Sequence, residues 1–231
     1  MKIWCIGVIN AVFLACMENI LKLYSLPYDP EYPIISFDER PCFLIGDKVK
    51  GLELKAGQVK KQHYEYEKNG SCNLLAAIEP LTGKRIAKVY DQRRKIEYAE
   101  FMQIVASHFP NAKKIRMIQD NLNTHNASSF YERFNAQTAF ELSQRFEFHY
   151  TPKKGSWLNV IETEFSALAR LCLNRRIPSK EILETEVLAL VKERSEKGIK
   201  ITWRFSITEA RRKLNRHYTK VNNENKKYDK I

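Results

Sequence analysis

The sequence is short of everything that staples or stretches a fold by itself. Its five cysteines, at positions 5, 16, 42, 72 and 172, are odd in number and far apart, with no C-x-x-C pair. That excludes a disulfide framework and a thiolate zinc site, and points to unpaired thiols in a reducing compartment. Gly 8 and Pro 8 in 231 residues exclude collagen-like and linker-dominated sequence. Long apolar runs are missing too. The hydrophobic opening, residues 1–17, is interrupted by Gly7 and Asn10 and runs on into Glu18 and Lys22, too short and too broken to span a bilayer. Val12, Cys16 and Leu23 recur at helical spacing, so residues 1–25 read as an amphipathic leading helix that ends before Pro27. Acidic charge is the last shortage: Lys plus Arg number 39 against 27 Asp plus Glu, a formal net charge of +12. Such a surplus argues for a polyanionic partner, nucleic acid first, and is silent on fold.

What is present is a hydrophobic fraction of 44%, enough for one well-formed core. Residues 34–38 form a short β-branched and aromatic run ending in Asp38. Residues 42–70 carry Gly, Lys and Gln with little periodicity and read as a basic excursion, its turn signal at Asn69-Gly70. Two strands follow, 72–78 and 85–90, joined through Pro80-Leu81-Thr82-Gly83. Helical spacing then covers 96–109, a strand 115–120 ends in Asp120, helices cover 127–133 and 136–145, and a strand lies near 146–149. From Trp157 onward Leu158, Ile161, Phe165, Leu168 and Cys172 fall on one face of a long helix. Helices over 179–196 and 208–217 complete an α/β layered domain with a mixed sheet. The tail, 218–231, is basic and expected to fray.

Two acids, Asp38 and Asp120, each close a hydrophobic strand, the place where α/β proteins commonly gather ligands. A third, Glu162, stands beside the apolar face of the helix after Gly155-Ser156-Trp157. Carboxylates gathered at one sheet edge repel one another unless a cation lies between them. Oxygen-only donors select Mg²⁺ or Mn²⁺. Two such ions about 3.5–4 Å apart activate an oxygen nucleophile and stabilise the leaving oxygen of a phosphodiester. Strand-terminal aspartates also cap turns, and Glu39, Asp47, Asp91 and Glu164 are alternatives by position alone. His125 and His149 stand 24 residues apart without a Cys or a further His at ligand spacing, which makes a poor zinc site.

A longer pattern discriminates among these acids. Asp120-Asn121-Leu122-Asn123-Thr124-His125, followed by His149-Tyr150-Thr151-Pro152-Lys153-Lys154-Gly155-Ser156-Trp157-Leu158-Asn159-Val160-Ile161-Glu162, resembles the catalytic core of DDE transposases. More narrowly it resembles the insertion sequence 630 group, related to the mariner transposases. Phe37-Asp38-Glu39-Arg40-Pro41 matches the first acidic motif, and Glu79-Pro80-Leu81-Thr82-Gly83-Lys84-Arg85 the third strand. The resemblance implies a ribonuclease-H-like fold, a five-stranded mixed sheet with helices on both faces. It implies Asp38, Asp120 and Glu162 as catalytic, metal-binding residues for Mg²⁺, with Mn²⁺ as substitute. Leu158-Asn159-x-x-Glu162 picks out Glu162 over Glu164. Asn121, Asn123, His125, Lys153, Lys154, Trp157 and Asn159 are expected to support these residues or touch DNA.

The implied activity is cutting of double-stranded DNA at transposon ends and strand transfer into target DNA, in the cytoplasm and on the nucleoid. A silent fragment that binds DNA or partner subunits, and a structure-selective nuclease, are the alternatives. Residues 1–217 are expected to form the catalytic domain and 218–231 a basic tail. Lys154 stands where the group commonly has His. Relatives carry a helix-turn-helix region before this core; a separately encoded portion, and a homo-oligomer, are expected partners, and no membrane. Lys48, Lys50, Lys55, Lys60 and Lys61 offer a basic arm, and Arg170, Arg175 and Arg176 offer phosphate contacts.

Overall fold

The computed structural model describes residues 8–49, 51, 57 and 63–230, with backbone alone for 227–230. A five-stranded sheet forms its centre, in the order β3-β2-β1-β4-β5. The strands are β1 (Ile34–Asp47), β2 (Tyr66–Glu79), β3 (Lys84–Tyr90), β4 (Ile115–Gln119) and β5 (Phe146–Tyr150). β1, β2 and β3 form an antiparallel meander, while β4 and β5 join β1 in parallel. The helices are α1 (Ala11–Tyr24), α2 (Lys95–Ser107), α3 (Ser128–Arg133), α4 (Ala136–Arg145), α5 (Ile161–Leu168), α6 (Lys180–Glu196), α7 (Ile207–Lys213) and α8 (Asn215–Val221).

Both faces of the sheet are covered, which explains why β2 reads as an uninterrupted apolar run from Leu74 to Ile78. Leu75 and Ala77 face α2 and α4 together with Phe37 and Phe101; Leu74, Ala76 and Ile78 face α5 and α6 together with Phe165 and Val187. A third cluster lies at one end, where α1 meets α7 and α8 around Met17, Ile20, Leu158 and Tyr218. The architecture is the ribonuclease-H-like α/β fold with a mixed sheet.

Several local expectations change. The first strand does not end at Asp38 but continues to Asp47. β4 pairs with β1 only over Ile34, Ile35 and Ser36, so the rest of β1 has β2 alone as neighbour and tolerates Pro41 as an edge does. Asn69-Gly70 is no hairpin turn: it lies within β2 at the register slip between Leu44 and Ile45, where Gly70 takes φ +110°. Lys48 pairs with Glu65, while Lys50, Lys55, Lys60 and Lys61 lie outside the described residues. Asn10 starts α1 rather than interrupting it, its side chain accepting from the Phe13 amide at 2.9 Å. Val12 is exposed, not core-facing.

The long helix expected from Trp157 is broken into a 3-10 turn over Ser156–Leu158, α5, and a π-turn over Ala169–Leu173, although its apolar face is buried as expected. The segment 208–217 is two helices that break at Leu214. The tail begins later than 218: Tyr218 is buried, donates to Glu18 at 2.5 Å, and α8 continues to Val221.

Candidate active site at the end of the parallel ladder

Strand register alone brings two of the acids together. Ser36 of β1 is paired with Ile118 of β4, and these strands are parallel. Two residues further along each chain stand Asp38 and Asp120, at the carboxyl end of the ladder where side chains leave the core. Glu162 arrives from a third element, the first turn of α5, with its side chain exposed.

That turn is tied to β1. Asn159 is buried and its Nδ2 donates to the carbonyl of Phe37 at 2.7 Å, one residue before Asp38. Tyr24 of α1 adds a second tie: its hydroxyl donates to the Leu158 carbonyl at 2.9 Å, accepts from the Val160 amide at 3.2 Å, and lies 3.1 Å from Ser36 Oγ.

The electrostatics record the convergence. Burial pushes the Asp38 carboxyl up to about 7, and the negative charges of Asp120 and Glu162 push in the same direction. The backbone amide of Glu39, which donates to Asp38 Oδ1 at 2.8 Å, and the charge of His125 oppose the rise without cancelling it. Among the described residues, however, no three His, Cys, Asp or Glu side chains close around a point that could hold a metal ion as they are placed. Asp120 Oδ1 is instead turned onto His125 Nδ1 at 2.5 Å.

His125 is 1% exposed and therefore lies beneath the site, not on a surface that DNA could touch. Its ring stacks on Tyr98 at 4.9 Å and meets Phe37 edge-on at 5.2 Å. Its carbonyl accepts from Gln119 Nε2 at 2.8 Å and from the Tyr150 hydroxyl at 3.1 Å. Glu39 Oε2 lies 3.8 Å from His125 Nε2, a charge contact too long for a hydrogen bond, and Arg93 reaches Glu39 Oε1 at 3.1 Å. Burial lowers the imidazole pKa, but Asp120 and Glu39 outweigh it and raise it to about 9. Sequence spacing did not bring Glu39 and Arg93 into this group; the one hint was the adjacency of Glu39 to Asp38.

The other expected residues divide by exposure. Asn121 and Asn123 are exposed on the loop after β4. Lys153 and Lys154 are exposed on a tight turn closed by the Gly155 amide on the Pro152 carbonyl at 2.8 Å, with Lys154 at φ +64°. A Cβ on Gly155 would meet Pro152 Cγ at 2.6 Å, so that turn requires glycine. Trp157 is 38% exposed and lines, with Glu162, Thr163, Ser166, Arg170 and Arg194, an open groove of about 580 Å³.

Glu164 has a different place. It is 2% exposed and held by Arg85 at 2.9 Å and Arg194 at 2.8 Å. Of the other expected phosphate contacts, Arg175 pairs with Glu186, and Arg176 binds Asp47 and the carbonyls of Tyr64 and Glu65. His149 contacts Asn19 and Glu147 and shares no ligand geometry with His125. No described helix is long and apolar enough to cross a membrane.

The fold is similar to that of the Mos1 mariner transposase. Against its paired-end complex with Mn the TM-score is 0.57 at 14% identity, over 97% of this chain and 66% of that chain. Against the Mos1 strand transfer complex the TM-score is 0.56 at 14% identity, over 98% of this chain and 65% of that one. The chain thus spans slightly under two-thirds of the length of these relatives. No curated protein matches the sequence. Residues 33–184 match the family described as DDE superfamily endonuclease. The matched span holds all three acids and more than half of the chain, which belongs to the DDE superfamily endonucleases.

Proposed function

We propose that this chain is the catalytic part of a transposase, which cuts DNA at transposon ends and joins the freed strand to target DNA with Mg²⁺ or Mn²⁺. The observation that carries this reading is the placement of the acids: the Ser36–Ile118 register sets Asp38 beside Asp120, and the Asn159 bond to the Phe37 carbonyl ties the turn of Glu162 to the same strand end, in keeping with the raised pKa of Asp38. Three carboxylates from three separate elements share one electrostatic neighbourhood at the end of a parallel ladder.

The donor set fits a hard divalent cation. It is all oxygen, its mutual repulsion is the kind a cation relieves, and Asp120 and Glu162 are accessible enough to turn. Asp38, Asp120 and Glu162 would hold the ion. When bound, it supplies an activated oxygen nucleophile and charge compensation at the leaving oxygen.

The remaining residues position and hold. Asn159 fixes the turn bearing Glu162 to the strand bearing Asp38. His125 backs Asp120 from below. Arg170 and Arg194 line the groove beside Glu162, where a phosphate would pass, and Trp157 offers a face for a base. The structures named as Mos1 paired-end and strand transfer complexes support a homo-oligomeric, DNA-bound working form. Recognition of specific ends is assigned to a helix-turn-helix portion outside this catalytic unit, and the place of action to the cytoplasm and nucleoid.

The test is a cleavage assay on duplex carrying the element's own terminal repeats, with Mg²⁺ or Mn²⁺ and a target plasmid. The wild-type chain should cut the ends and yield joined products, and Asp120→Ala should do neither. No cutting by wild type, or equal cutting by the variant, overturns the reading.

A further inference from the structure

We propose that the basic cleft between α7 and α8 is a second nucleic-acid contact, holding the phosphate backbone of DNA that flanks the cut site. This rests on the DNA-cutting reading above and places part of the substrate outside the Glu162 groove.

The charge is dense and mostly positive, with Arg211 turned to Glu18 of α1 at 2.8 Å. Between residues 204 and 220 the sequence carries Arg204, Arg211, Arg212, Lys213, Arg216 and Lys220 against the single acid Glu209. The helix break at Leu214 folds part of this run into a cleft of about 410 Å³, lined by Arg212, Lys213, Asn215, Arg216 and Thr219. Glu209 lies 3.3 Å from Arg212 and 3.7 Å from Lys213, but these are exposed pairs, weak enough for a phosphate to displace. Arg216 Nε donates to His217 Nε2 at 3.2 Å. Burial, then the charges of Arg216 and Lys220, hold that imidazole below its usual pKa, as a strongly positive surface would.

Two polar atoms of the cleft residues want a partner. Asn215 is 9% exposed, yet its Oδ1 has no hydrogen bond, and neither has the buried Thr219 Oγ1. Both atoms are buried, so contact with a phosphate falls first to the exposed Arg212, Lys213 and Arg216.

The cleft is also connected to the active-site groove. Trp157, which lines the groove with Glu162, meets Phe205 edge-on at 5.7 Å. Lys213 Nζ lies over the same Phe205 ring, 5.5 Å from its centroid. The exposed Trp157, the half-buried Phe205 and the Lys213 ammonium thus link the groove at Glu162 to the cleft of Arg212 and Arg216. Aromatic faces that take bases, followed by closely spaced guanidinium groups, suit a nucleic acid strand better than an acidic protein.

The experiment measures binding of the full-length chain to a labelled duplex by fluorescence anisotropy across a salt series, in EDTA so that nothing is cut. Arg212→Ala with Arg216→Ala removes two phosphate contacts, so the slope of log K against log salt should fall by about 1.8. If the two curves meet near 1 M salt, the same slope difference is a loss of about 60-fold at 0.1 M. Arg212→Lys with Arg216→Lys should restore the slope. Both side chains are exposed, so the unfolding midpoint should not move.

A wild-type chain that binds duplex while the alanine variant keeps its slope overturns the cleft and leaves the DNA reading intact. A wild-type chain that does not bind duplex at all overturns both. If the alanine variant loses self-association in sedimentation with an unchanged DNA slope, a second copy of the chain occupies the cleft and the proposal fails.

Discussion

Glu162 and Glu164 stand two residues apart in the first turn of one short helix, in opposite surroundings: Glu162 is exposed and Glu164 is buried. Truncating Glu164 to alanine should be among the most destabilising single changes in the chain. Its carboxylate accepts from Arg85 Nη2 at 2.9 Å and from Arg194 Nε at 2.8 Å and Nη2 at 3.0 Å. The Arg85 and Glu164 side chains are each 2% exposed, so solvent screening does little for them. Removing the acid strands a buried guanidinium, which costs about 3–5 kcal/mol. For a chain of this size that is a fall in Tm of about 6–20 °C. Glu162→Ala removes an exposed side chain instead and should shift stability by about 1 kcal/mol or less, while abolishing metal-dependent cleavage. Urea unfolding followed by tryptophan fluorescence measures both variants. If Glu164→Ala unfolds at the wild-type midpoint, or Glu162→Ala loses as much stability as Glu164→Ala, the division of roles is wrong.

Three further changes test the scaffold of the site. Asn159→Ala leaves the buried Phe37 carbonyl unpaired and should cost about 1–3 kcal/mol in urea, with cleavage falling further than DNA binding as Glu162 loosens from β1. His125→Phe keeps an aromatic ring between Tyr98 and Phe37 but drops the bond to Asp120; it should remain folded and need more Mg²⁺ for half-maximal cleavage. Glu18 is held below its usual pKa by the Arg211 guanidinium, against the opposing effect of burial and with help from the Tyr218 hydroxyl. A folded pKa below the unfolded one means that this stability is complete above about pH 4.3 and is lost as pH falls through the folded value. Tyrosine signals reporting on the α1–α8 contact should therefore loosen on acidification below that point, and Glu18→Gln should flatten the response.

The legible parts of the sequence were those fixed by local period and by punctuation. The strands around 72–78 and 85–90, helix α2 and helix α6 lie where alternation, helical spacing and Pro or Gly placed them. The fold followed from the order of elements. What escaped depended on partners distant in sequence. Nothing near Asp38 says that β1 continues, because its continuation depends on β2 alone lying beside its second half. Asn69-Gly70 carries a turn signature, yet ladder pairing on both sides keeps it within β2, with Gly70 opposite Leu44 and Asn69 as the bulged residue. At the site, spacing singles out Asp38, Asp120 and Glu162 only through the resemblance of the surrounding motifs to those of a known family. The Ser36–Ile118 register supplies a physical reason why two of them meet. The burial of His125 could not be read from its polar neighbourhood, since it is created by Phe37 and Tyr98, which arrive from β1 and α2. Trp157, by contrast, stands partly exposed in the groove beside Glu162, where its motif placed it.

If Asp38, Asp120 and Glu162 together hold a divalent cation, the chain should bind Mn²⁺ through those three side chains. The free-to-bound change in the Mn²⁺ paramagnetic resonance signal should be followed for the full-length chain and for Asp38→Asn, Asp120→Asn and Glu162→Gln. The wild-type chain should bind saturably, each of the three variants should bind weakly or not at all, and Glu132→Gln, at an exposed acid paired with Lys95, should bind as the wild type does. Undiminished Mn²⁺ binding by the three variants would show that these carboxylates do not form the site.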